Sequence, residues 1–256
     1  MKFVDYYGDD RLRHKIVYNK NSYSECIYCG KQANTREHIP SRVFLSKPYP
    51  SNLAIVPACV KCNNSFSNDE LFLSILIEKL KIKHFGQNYV LSEEADRRIK
   101  QNEKLAHMID AAIENERLDE FNKKISRVIF KLAIGHSVYE LSEGYCIEDG
   151  TVKYSFLNHL SAEEVDEFSL PFNLNGQLFP EIGSRVYERI LFLEVNFAAA
   201  SDPEQLTAPL VLLDWVDVQE KRYSYTSYRF GDEIVVKMII NEFLYAQVIL
   251  NVEVST

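Results

Sequence analysis

The stretch Pro57–Asp69, "PACVKCNNSFSND", decides the reading of this chain. It holds a Cys-x-x-Cys pair, Cys59 and Cys62, followed at once by Asn63 and Asn64. A second pair, Cys26 and Cys29, lies upstream in "ECIYCG". Each pair supplies two corners of a tetrahedron, and four thiolates close a zinc ion against any substrate water. The Zn²⁺ expected here is therefore structural. Four of the five cysteines fall in this pattern, which speaks for metal binding in a reducing, cytoplasmic setting over a disulfide framework. The fifth, Cys146, is expected to be a small buried hydrophobe in a strand.

Outward from the cysteines the pattern changes twice. From Ser67, "SNDELFLSILIEKLKIKHF" repeats apolar residues at helical spacing, with Ser67 or Asn68 as the expected N-cap. "SEEADRRIKQNEKLAHMIDAAIENERL" reads as one amphipathic helix capped by Ser92. "DEFNKKISRVIFKLAIGHSVYEL" reads as another, stopped by Gly144. Beyond it, "YCIEDGTVKYSFL" suggests a hairpin turning at Asp149-Gly150. "SRVYERILFLEVNFA", "PLVLLDWVDV", "RYSYTSYRF" and "IVVKMIINEFLYAQVILNVEV" are rich in β-branched and aromatic residues, with "SAEEVDEF" as a short helix before them. The expected class is α+β: a zinc module, a helical middle and a mostly antiparallel C-terminal sheet. The expected division places the module in residues 1–85, and the helical segment with an acidic β-rich domain in residues 86–256.

Between the cysteine pairs stand "TREHIPSRVF" and "PSNLAIVPACVKCNNS". An acid before a histidine, an Asn-Leu before the second pair and a polar residue directly after the last cysteine form an ordered set. In Cys26, Cys29, Glu37, His38, Pro40, Asn52, Leu53, Cys59, Cys62 and Asn63 the sequence resembles the HNH endonuclease superfamily, over roughly residues 24–75. The resemblance implies a ββα-metal nuclease core around the zinc. By it, His38 is the general base that takes a proton from the attacking water. Glu37 and Asn63 hold a catalytic Mg²⁺ or Mn²⁺, for which carboxylate and amide oxygens are suitable hard ligands. Asn52 fixes the loop carrying the base. Two departures stand out: no basic residue follows Asn63 closely, and Glu37 is longer than the more usual Asp.

The chain carries a net charge of −8, unevenly spread. Residues 1–65 hold 10 Lys/Arg against 5 Asp/Glu, and residues 140–256 hold 7 against 20. A basic end on an acidic body suits a phosphate partner at that end. Arg36, Arg42, Lys47 and Lys61 are the candidate nucleic-acid contacts. The partner expected is DNA, with RNA left open because such a site contacts phosphate and not base. The acidic half is expected to sense, form a homo-oligomer or dock a protein partner, by analogy with prokaryotic defence or mobile-element nucleases. The rival reading is a zinc-stabilised binding module without catalysis. No signal peptide and no membrane-spanning run is read in the sequence.

Overall fold

A computed structural model of the chain describes residues 25–174, 189–197 and 206–251. The first 24 residues of the expected module lie outside the described residues, as do the parts of expected strands at 184–188, 198 and 252–254. The architecture is α+β, as the residue patterns predict.

Strands β1 (Thr35–Ile39) and β2 (Ala54–Ala58) form an antiparallel hairpin, with Glu37 opposite Val56 and His38 opposite Ile55. Helix α1 (Val60–Phe85) follows directly. Its N-cap is Cys59, whose sulfur accepts the Cys62 N–H at 3.4 Å. This corrects the cap expected at Ser67 or Asn68. The thiol does what a hydroxyl oxygen does at other helix starts, so both residues lie inside the helix. The one long helix expected after Ser92 is two, α2 (Glu93–Gln101) and α3 (Glu103–Glu114). The break is Asn102, which leaves helical geometry at φ −128° and donates its side-chain amide to the Arg98 carbonyl at 2.9 Å. Asn offers the backbone such an alternative to continuing the helix.

Helix α4 (Asn122–Leu141) is buried on every side from Lys131 onward, the mark of a central helix. Strand β3 (Gly150–Phe156) follows, then α5 (Ala162–Ser169), β4 (Phe172–Asn173), β5 (Ile190–Phe197) and β6 (Leu206–Leu213). The chain continues through β7 (Val216–Gln219), β8 (Tyr223–Phe230), β9 (Glu233–Ile240) and β10 (Leu244–Asn251). The main sheet has the order β3-β10-β9-β8-β7, and a smaller one the order β4-β6-β5. Every pairing is antiparallel. The hairpin expected at Asp149-Gly150 does not form. Strand β3 pairs with β10 instead, Thr151 facing Ile249.

One hydrophobic core runs from the hairpin through the helices to the sheet. Ile39, Val56, Leu76, Leu132, Tyr223 and Val248 all belong to it. The division expected at residue 85 falls at the end of α1, yet the segments on either side share this core. The loop between β1 and β2 is tied to the sheet as well. Gln219 accepts the Ser46 N–H at 2.7 Å and returns its amide to the Ser46 carbonyl at 2.9 Å.

Candidate functional site

The four paired cysteines converge. The sulfurs of Cys26, Cys29, Cys59 and Cys62 all lie within 4.8 Å of one another. Cys29 and Cys59 are 3.8 Å apart, the separation that tetrahedral Zn–S bonds of about 2.3 Å impose. The first pair is carried on a tight turn in which the Cys29 and Gly30 N–H groups donate to the Cys26 carbonyl. Gly30 takes φ +67° there, a conformation that costs glycine little. The second pair straddles the start of α1. Donation from the Cys62 N–H pulls the Cys59 thiol down to about 7, towards the thiolate that zinc requires. The donor set fits a closed zinc site.

Cys146 departs from its expectation. It is exposed, at φ 55° in a turn, and not buried in a strand. Its N–H donates to the Ile27 carbonyl at 2.8 Å, so the segment after α4 clasps the first cysteine turn.

Along β1, successive side chains alternate faces. Glu37 points inward and is 5% exposed; Arg36 is exposed and His38 half-buried on the other side. The inward face meets α1 and α4. The Lys131 ammonium lies 2.6 Å from Glu37 Oε1, 2.7 Å from Ser41 Oγ and 2.5 Å from Glu70 Oε1. Ser41 accepts from Lys131 and donates its own proton to Glu70 Oε1 at 2.5 Å. The Phe66 ring lies under the ammonium and packs against Tyr28. Burial pushes the Glu37 carboxyl up, Glu70 adds to the rise, and Lys131 opposes it. Glu37 Oε2 is buried without a hydrogen-bond partner among the described residues.

The sequence patterns did not single out Lys131, Ser41 or Glu70. Glu70 and its neighbour Asp69 both couple α1 to α4, Glu70 through Lys131 and Asp69 through Arg127 at 2.5 Å and Lys124 at 3.7 Å. One signal was present in the sequence. "VIFKLAIG" sets a single lysine inside an apolar run, and a lysine so placed needs a buried partner.

The outward face carries the base candidate. Burial lowers the His38 pKa, and Arg42 lowers it further. Arg36, Arg42, Lys47 and Lys61 are all exposed, and the Arg42 guanidinium stacks over the Tyr49 ring at 5.3 Å. Asn52 is buried at the end of the β1–β2 loop. Asn63 stands half-buried in the first turn of α1, its N–H bonded to the Cys59 carbonyl at 3.0 Å.

For a divalent ion the donor chemistry fits in kind: an unpartnered carboxylate oxygen on Glu37 and an amide on Asn63 are hard ligands. The incumbent ammonium on the other Glu37 oxygen tells against tight binding, because a second cation beside it is repelled. Two carboxylates face one ammonium, so the cluster carries one uncompensated negative charge if both are ionised. No helix among the described residues is long and apolar enough to cross a membrane. No family model, curated protein or solved structure matches the chain.

Proposed function

We propose that the hairpin, the zinc knuckle and the start of α1 form the catalytic centre of an HNH-type endonuclease that hydrolyses phosphodiester bonds, DNA first. The observation that carries this reading is His38. Its imidazole stands on the outer face of β1, half-buried, with Arg36 on the same face and Arg42 close enough to depress its pKa. An imidazole kept neutral at working pH accepts a proton from an attacking water. Arg36, Arg42, Lys47 and Lys61 supply phosphate contacts that position a strand without reading its bases. Asn52 holds the loop. The zinc is scaffold. Glu37 and Asn63 would hold Mg²⁺ or Mn²⁺, which supplies a Lewis acid for charge developing on the leaving oxygen. The acidic balance of residues 140–256 keeps nucleic acid at the other end of the chain and suits a protein partner or a second copy. We place the protein in the cytoplasm, where thiolate zinc sites persist.

A second reading, a zinc-stabilised binding module without catalysis, is favoured by the hold of Lys131 on Glu37. The deciding experiment is cleavage of supercoiled plasmid by the full chain with Mg²⁺, Mn²⁺ or EDTA, beside His38→Ala. The nuclease reading expects nicked or linear product that disappears in the variant. It also expects an acid limb in the pH profile below the ordinary histidine midpoint of about 6.5. Undiminished cutting by His38→Ala defeats it. Plasmid binding without cutting by the wild type transfers the conclusion to the second reading.

A further inference from the structure

On the inward face of β1 the nuclease reading uses only Glu37, and the groups gathered around that carboxylate have no part in it. Three oxygens from three places in the chain converge on one nitrogen: Glu37 Oε1 from β1, Ser41 Oγ from the loop after it, and Glu70 Oε1 from α1. All lie within 2.5–2.7 Å of Lys131 Nζ. Lys131 itself is 1% exposed. An ammonium donates three hydrogen bonds and no more, and here all three go to these oxygens. That set is also what a hard cation seeks: carboxylates and a hydroxyl, with a further carboxylate oxygen, Glu37 Oε2, buried and unpartnered among the described residues.

We propose that Glu37, Ser41 and Glu70 form a built cation site whose resident cation is the Lys131 ammonium, and that Lys131 and a divalent ion compete for it. The physical reason is charge. With the ammonium in place the cluster stands at −1, enough to attract a cation weakly. With the ammonium gone and both carboxyls ionised it stands at −2, with both Glu37 oxygens open to a new cation while Glu70 Oε1 keeps the Ser41 hydroxyl. Lys131 thereby sets how readily Glu37 takes a divalent ion, and it is a positioning residue, not a catalytic one. The same bond holds the hairpin against α4, so entry of a divalent ion at Glu37 requires the ammonium to give way. This inference deepens the reading of Glu37 as a cation ligand, but cleavage is not its readout, so a failed nuclease assay leaves it standing.

The test is Mn²⁺ binding followed by electron paramagnetic resonance, on zinc-loaded full-length protein. The proteins compared are the wild type, Lys131→Met, and Lys131→Met combined with Glu37→Gln. Removing a unit charge a few ångströms from the site is expected to tighten Mn²⁺ binding at least about tenfold in Lys131→Met. The added site is expected to vanish in the double variant. Equal Mn²⁺ affinity in wild type and Lys131→Met overturns the proposal, as does a gain that survives Glu37→Gln. If Lys131→Met does not fold, Lys131→Gln, which removes the charge but keeps a hydrogen-bond donor, takes its place with the same two outcomes: Mn²⁺ affinity equal to the wild type overturns the competition, and a tightened site that Glu37→Gln removes supports it.

Discussion

Gly135→Ala tests how the hairpin is seated on the rest of the molecule. Gly135 lies in the buried half of α4, where glycine is ordinarily a weakness: alanine is favoured over it by about 1 kcal/mol in a helix interior. The structure reverses the sign. A β-carbon at position 135 would stand 2.4 Å from Ile39 Cδ1 and 2.8 Å from its Cγ1. Ile39 is fully buried at the end of β1, and a β-branched side chain has few other rotamers to adopt. Overpacking of this kind costs about 1–3 kcal/mol. Set against the propensity gain, the variant should be destabilised by about 1 kcal/mol. Ile39→Val deletes the nearest atom, Cδ1, and alone should cost about 1 kcal/mol for the space left behind. The double variant fills that space with the new methyl, while valine Cγ1 shifts into what remains. Its destabilisation should fall short of the sum by about 1 kcal/mol, well outside the ~0.5 kcal/mol scatter of independent sites. Urea unfolding of the zinc-loaded full chain, with linear extrapolation, measures all four corners of the cycle. Strict additivity refutes the reasoning. So does a Gly135→Ala protein more stable than the wild type, which would mean that helix propensity alone governs the position.

Two further outcomes follow from the geometry. Cys59→Ser should lose bound zinc in elemental analysis and lower the melting temperature, since a hydroxyl can still cap α1 but cannot replace the thiolate of the four-sulfur set. Cys146→Ser should retain one zinc per chain, and its loss there would show that the fifth cysteine belongs to the ligand set. His136 is buried, its Nε2 2.8 Å from the Tyr223 hydroxyl and its ring stacked on Tyr225. Burial holds its pKa well below the usual range, with Arg189 and Lys131 adding to the effect. The folded state therefore stays neutral where the unfolded chain takes up a proton. Its contribution is fully present above about pH 6.5 and is lost below it, at about 1.4 kcal/mol per pH unit. Unfolding titrations should show that slope reduced by one proton in His136→Phe; an unchanged slope rejects the assignment.

What was legible in the sequence is what depends on neighbours along the chain. The cysteine pairs announce themselves by spacing, and the structure brings all four sulfurs together. The strands of the C-terminal third are marked by β-branched and aromatic runs, and α5 by a capping box in which Ser161 and Glu164 bond reciprocally. Errors arose where a local signal had a competitor. Ser67 and Asn68 are good caps, but Cys59, one of the four converging cysteines, starts the helix first. Asp149-Gly150 is a good turn, but the segment before it is claimed by the first cysteine turn through Cys146.

The buried cluster was illegible for a different reason. Lys131 meets Glu70 across 61 positions and Glu37 across 94, and no periodicity reports such pairs. Its neighbours on α4 are of the same kind. Gly135 receives Ile39 from the hairpin, while His136 and Glu140 bond Tyr223 and Tyr225 of β8. Glu140 also pairs with Arg189 at 2.9 Å, both groups 2% exposed. One helix thus presents a buried cation to the hairpin and a buried anion to the sheet. Buried charges of this sort contribute little net stability compared with apolar replacements, yet removing one partner is costly. Such charges therefore fix which surfaces meet more than how tightly. On that ground the hairpin's inward face and the sheet's helix-facing side are specified together. A displacement of β8 against α4 therefore works against the Glu140 bond to Tyr225 and the His136 bond to Tyr223.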